Sequence, residues 1–218
     1  MIVFNGKGQR IPGVEGQTYL ERPGLRLARA DYRPRGDHEV VRALMAHTSL
    51  GKMPQLAPGT GPRVARDERM IRMWRDDDRH AGAHLVIDFD GSTVCAADLL
   101  LDAAYHAGKA NGWTIGLEIA QLRDGRIFEA QLRTFQAIAE LVAELFELPH
   151  SYPGDARSSW RDRGWPRLEQ LSQRGKESEW APTKYGVIGH VHYGFRGPGD
   201  PGPWPFVALG AMGWCALP

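Results

Sequence analysis

An α/β domain with a central sheet is predicted by three observations: short apolar runs alternate with helical periodicity, one amphipathic helix is unusually clear, and Gly, Pro and Asp mark the joins. Residues 1–39 are rich in Gly, Pro and Arg and read as an irregular segment packed on the domain that follows, 40–218. Val3-Phe4 and Tyr19-Leu20 are its short strand candidates. Residues 40–47 form an apolar run with strand character, followed by a Gly- and Pro-rich loop over 51–62. Residues 63–80 are expected to be a helix whose apolar face carries Val64, Met70, Ile71, Met73 and Trp74.

A strand is expected over 84–89, a tight turn at Asp90-Gly91, and a return through Thr93-Val94-Cys95. Over residues 113–120, Ile115, Leu117 and Ile119 share one face of a strand, and Thr114, Gly116, Glu118 and Ala120 share the other. Residues 130–148 give the strongest helix, with Leu132, Phe135, Ile138, Ala139, Val142, Leu145 and Phe146 as its core stripe. Val187-Ile188 is a short strand leading into His190, and residues 205–212 close the domain as a helix. Residues 149–185 break the rhythm with Pro153, Pro166 and Pro182 and with Trp160, Trp165 and Trp180. They read as an inserted loop region, either a lid or an insertion pinned by its tryptophans, with a short helix over 166–174 that has Pro at its first turn.

A chain of 218 residues, 42% hydrophobic, fits one domain with an elaborated loop. The net charge of +1 gives no reason to propose a nucleic-acid partner. Two cysteines, Cys95 and Cys215, cannot build a disulfide framework and read as free thiols. The opening Met1-Ile2-Val3-Phe4-Asn5-Gly6-Lys7-Gly8 lacks the basic region and apolar core of a secretory signal, and no stretch has transmembrane length. The expectation is synthesis in the cytoplasm without integral membrane association.

The chemistry concentrates near the C-terminus, where Gly189-His190-Val191-His192 precedes Gly199-Asp200-Pro201-Gly202-Pro203. An imidazole and a carboxylate ten positions apart, on a loop restricted by Gly and Pro, have a metal-ligand spacing. His47 is an available third ligand, and two His with one carboxylate leave the open position a catalytic zinc needs. Taken singly, His47 near a strand end is more often a hydrogen-bonded structural residue, and Asp200 before Pro201 is also a plain turn residue. Non-haem iron sites use the same ligand set but often pair His and acid two residues apart; His190-Val191-His192 lacks that pairing, which favours zinc and leaves iron open. Glu118 is the candidate general base, and Arg196 is the nearest cation for a developing oxyanion.

Four blocks in order then resemble the zinc-dependent N-acetylmuramoyl-L-alanine amidases of the amidase-2 and peptidoglycan-recognition type. They are His47-Thr48-Ser49; the hairpin His84-Leu85-Val86-Ile87-Asp88-Phe89-Asp90-Gly91; His106-Ala107-Gly108 with Asn111 and Thr114-Ile115-Gly116-Leu117-Glu118; and Gly189-His190 with Asp200-Pro201-Gly202-Pro203. The resemblance implies a central mixed β-sheet flanked by helices. It implies Zn2+ on His47, His190 and Asp200, Glu118 as acid or base, and His84, His106, Asn111 and Arg196 along the substrate groove. The implied reaction cleaves the amide between N-acetylmuramic acid and L-alanine in peptidoglycan, as a phage-type endolysin does. A cytoplasmic amidase of soluble anhydro-muropeptides and a non-catalytic peptidoglycan-binding protein are the alternatives. Pro198 stands where several members carry a Lys, and Ala83 where others carry a Tyr.

Overall fold

Leu44, Ala46, Ile115, Leu117, Ile119, Leu85 and Ile87 alternate along three neighbouring strands, are completely buried, and gather in one core. The computed structural model describes residues 1–50, 66–76, 80–121, 127–154, 185–190, 201 and 203–217. Its strands are β1 (Ile2–Phe4), β2 (Lys7–Gln9), β3 (Gly16–Thr18), β4 (Tyr32–Pro34), β5 (Ala43–Leu50), β6 (Leu85–Ile87), β7 (Thr93–Cys95), β8 (Asp102–Ala104), β9 (Thr114–Gln121), β10 (Ser151–Pro153), β11 (Val187–Gly189) and β12 (Cys215–Leu217). The helices are α1 (Arg66–Arg75), α2 (Glu129–Phe146) and α3 (Trp204–Ala211).

Six strands form the central sheet in the order β11-β5-β9-β6-β7-β3. Strands β11, β5, β9 and β6 run parallel, and β7 returns antiparallel beside β6, so the sheet is mixed. The parallel part is buried on both faces, as its near-continuous apolar strands require. One face packs on α2 through Phe135, Ile138, Ala139 and Val142 and on α3 through Phe206 and Leu209. The other face is covered by Met70, Ile71 and Trp74 of α1 together with Leu25 and Leu27, and near β5 by Ala107, Ala110 and Tyr185.

Side chains tie α2 to the sheet. Gln131 accepts from the Phe128 backbone N–H at 3.0 Å, capping the first turn, and its amide donates to the Ala120 carbonyl at the end of β9 at 2.6 Å. Thr134 donates to the Gly91 carbonyl at 2.6 Å. A Cβ on Gly91 would lie 2.7 Å from the Ala130 carbonyl oxygen, so this β6–β7 corner seats directly on the helix.

The N-terminal segment carries more order than its composition suggests. Asn5 and Gly6 both take positive φ, 51° and 72°, and close the β1–β2 hairpin. The Asp98 carboxylate accepts the Asn5 and Gly6 N–H groups at 3.1 and 2.6 Å and fixes that hairpin to the body. Strand β3 adds the edge strand to the central sheet, and β4 pairs with β8. Tyr19-Leu20 is a turn after β3, not a strand, because the Glu21 and Arg22 N–H groups fold back on the Thr18 carbonyl.

Other boundaries also shift. The helix expected over 63–80 is described from Arg66 and ends at Arg75, with Met73 half exposed and Val64 outside the described residues. The hairpin at Asp90-Gly91 is wider than a two-residue turn: Ile87 pairs with Thr93, and Asp90 accepts from the Ser92 N–H at 2.9 Å. Both cysteines are free, Cys95 buried and Cys215 exposed. Among the described residues no helix is long and apolar enough to cross a membrane. Most of 149–185, including the helix expected over 166–174, lies outside the described residues.

The Gln131 clamp gives a test of how the helix is held. Gln131→Leu removes a buried donor from the Ala120 carbonyl and a cap from α2, and is expected to cost about 1–3 kcal/mol in urea unfolding. Unchanged stability would show that α2 docks through its apolar face alone.

Candidate active site

In a parallel ladder, paired residues point to the same face of the sheet. His47 of β5 pairs with Glu118 of β9, so imidazole and carboxylate stand side by side on adjacent strands, which lie about 4.8 Å apart. On the other flank β11 runs parallel to β5 with Gly189 opposite Ala46, and the next residue, His190, comes level with His47. The two rings meet with centroids 4.4 Å apart. His47, Glu118 and His190 thus converge on the face opposite α2, toward the carboxyl ends of parallel strands, where open α/β sheets bind ligands. His47 is 3% exposed, and Glu118 and His190 are partly exposed, so the group opens to solvent on one side.

Behind it stand two further histidines. His106 lies 5.0 Å from His47 by ring centroids, and His84 lies 5.8 Å from His106. The four imidazoles form a row from the fully buried His84 to the partly exposed His190, and His106 between them is also partly exposed. Room for the row comes from Gly116 in the middle of β9. A Cβ there would sit 2.5 Å from Cγ of the His106 ring.

The row is held by hydrogen bonds to groups of known direction. His106 Nδ1 lies 2.9 Å from His47 Nε2, and His106 Nε2 lies 3.1 Å from Thr114 Oγ1. The Thr114 hydroxyl donates to the Ala110 carbonyl at 2.7 Å. Asn111 Oδ1 accepts the N–H groups of His106 and Ala107 at 3.0 and 2.6 Å, closing the turn that presents His106. His84 accepts the Gly116 N–H on Nδ1 at 3.0 Å and meets the Asp102 carbonyl with Nε2 at 3.1 Å. Burial, with the nearby Arg35 charge adding to it, pushes the His84 pKa down to about 3. Burial, then the neighbouring His47, His84 and His190 rings, hold His106 well below the ordinary histidine range. Both rings are therefore neutral at pH 7.

The structure places the residues expected along the groove as follows. His84 is fully buried with both nitrogens on backbone groups, so it supports β9 and does not line a groove. His106 has both nitrogens engaged by Thr114 and His47. Asn111 is 8% exposed, and its carbonyl oxygen is spent on the turn. Asp200, Arg196 and Pro198 lie outside the described residues. Thr114 and Gly116 stand in the third motif block but were given no role from sequence; a glycine inside a largely apolar strand, ten residues after His106, was the available signal.

Among the described residues no group of three or more His, Cys, Asp or Glu side chains is arranged to hold a metal. The donor chemistry nevertheless suits one: two imidazoles in contact, one nearly buried, beside a carboxylate. This fold and this set of groups define a hydrolase-type site, with a carboxylate placed beside a pair of imidazoles.

Comparison with known proteins gives the family. Residues 37–203 match the N-acetylmuramoyl-L-alanine amidase family model, well over half of the chain, and the protein belongs to that family of peptidoglycan amidases. Among solved structures, an AmpD selenomethionine derivative matches with a TM-score of 0.50 and 18% identity over 96% of this chain and 99% of that one. The endolysin N-acetylmuramoyl-L-alanine amidase LysCS from Clostridium intestinale matches with a TM-score of 0.50 and 11% identity over 94% and 97%. At these identities the likeness is one of fold, and it agrees with the mixed six-stranded sheet. A search of curated proteins found no match.

The buried His84 makes stability depend on pH. An unfolded chain protonates this histidine as pH falls through about 6.5, whereas the folded protein does so only near 3. Between those values the unfolded state binds more protons, so folding stability falls as pH falls, by up to about 1.4 kcal/mol per unit from this group. Urea unfolding from pH 7 to pH 4.5 should show a shallower fall in His84→Gln than in the wild type. Parallel profiles would contradict the assignment.

Proposed function

We propose that the protein hydrolyses the amide between the lactyl group of N-acetylmuramic acid and L-alanine with one zinc ion, acting on the cell wall as endolysin-type amidases do. The observation that carries this reading is the placement of His190 against His47, with Glu118 paired to His47 on the adjacent strand. His47 and His190, completed by Asp200 from the sequence, would hold the ion. Zinc so held supplies a Lewis acid for the carbonyl and makes water acidic enough to give up a proton at neutral pH.

The chain's own residues do the remainder. Glu118 takes the proton from the attacking water and returns it to the amine of the departing L-alanine. Its position on a rigid central strand, level with His47, would hold it beside the ligands. Arg196 is the candidate donor for the oxyanion, in a chain that has Pro198 where several members carry a Lys.

The direct test of this mechanism is Glu118→Ala. Turnover of purified peptidoglycan should fall by about 10²–10⁴-fold while zinc content stays that of the wild type. Wild-type turnover in the variant would remove Glu118 from the mechanism. Wild-type cleavage of soluble anhydro-muropeptides but not of intact walls would replace the endolysin-type role with a recycling one.

A further inference from the structure

The chain of hydrogen bonds behind His47 has only one self-consistent direction. It starts at the Ala110 carbonyl, which can only accept. The Thr114 hydroxyl has a single proton and lies 2.7 Å from that carbonyl, so the proton is spent there. Thr114 Oγ1 can then only accept from His106 Nε2, 3.1 Å away, which puts the His106 proton on Nε2. A neutral imidazole with Nε2–H accepts on Nδ1. His106 Nδ1 faces His47 Nε2 at 2.9 Å, so His47 must be the donor and carry its proton on Nε2. The lone pair of His47 is thereby set on Nδ1.

We propose that His106 is a positioning residue: anchored through Thr114 to the Ala110 carbonyl, it fixes the tautomer and ring orientation of His47 so that His47 meets the metal through Nδ1. This rests on the metal-site reading given above. Reversing either tautomer would set two lone pairs, or two protons, against each other at hydrogen-bond distance. The anchor is stiff. Ala110 belongs to a short turn closed by Asn111, whose Oδ1 holds the His106 and Ala107 N–H groups, and the Ala110 carbonyl also accepts from the Trp113 N–H at 3.1 Å. Thr114 is the first residue of β9, paired with Ala43 of β5, so the strand that carries His47 and the anchor of its partner belong to one ladder. Gly116 leaves the space that the His106 ring occupies. Such partners behind a ligating histidine typically alter metal affinity by about 10–100-fold.

The test uses the full chain labelled with 15N, with two-bond proton–nitrogen spectra of the histidine rings recorded metal-free and after Zn2+ is added, and Zn2+ affinity measured by chelator competition. The metal-free protein should show Nε2–H at both His47 and His106, and Zn2+ should shift the Nδ1 resonance of His47. His106→Phe and Thr114→Val should each lose the single His47 tautomer. His106→Phe should weaken Zn2+ binding by about 10–100-fold, and Thr114→Ser, which keeps the hydroxyl, should retain the wild-type tautomer and affinity. An Nδ1–H tautomer at either ring of the wild type overturns the relay whether or not Zn2+ binds, and needs no variant to fold. Wild-type Zn2+ affinity in His106→Phe overturns its positioning role. Both Nε2–H tautomers in a wild type that binds no Zn2+ would uphold the relay and overturn the metal site itself.

Discussion

The parallel register between β5 and β9 is the constraint on which the rest depends. It runs for eight residue pairs, from Ala43 opposite Thr114 to Leu50 opposite Gln121. A slip of one residue would turn every side chain of a strand to the other face. Leu44, Ala46, Ile115, Leu117 and Ile119 would leave the α2 core, and His47 and Glu118 would no longer share a face. The apolar alternation that buries the core is therefore the same pattern that assembles the site. Stability and chemistry are coupled through one ladder, and α2 holds that ladder through the Gln131 bond to Ala120.

The row of histidines extends this logic inward. An imidazole shielded from water is costly when protonated and is steadied by partners for both nitrogens. His84 meets that need with backbone groups of β9 and the Asp102 region, and His106 with Thr114 and His47. Polar groups thus act as supports that fix where each ring sits. The N-terminal segment contributes indirectly. Arg26 pairs with Asp102 at 2.7 Å, and Arg35 donates to the Asp102 carbonyl at 2.8 Å, which holds the strand that carries the partner of His84.

Much of this was legible in the sequence. The alternation of Ile115, Leu117 and Ile119 placed Glu118 on the opposite face, and the 3.6-residue stripe from Phe135 to Val142 identified α2 as core. The motif blocks contain His47, His190 and Glu118, and the structure brings these three together. The burial of His84 was not legible, because residue type cannot tell a histidine that faces a groove from one that braces the wall behind it. That distinction lies in burial and hydrogen-bond direction. Apart from Val3-Phe4, which lies in β1, the order in residues 1–39 was not legible because three-residue strands have no readable period, although Asn5-Gly6 is a strong hairpin signal.

In the proposed reaction the scissile bond is the amide joining glycan to stem peptide. Mass analysis of the products released from purified peptidoglycan tests it most directly. The expected result is stem peptides with a new free L-alanine amino terminus and glycan strands of unchanged length. New reducing sugar ends, or cleavage within the stem peptide with the first amide intact, would contradict it.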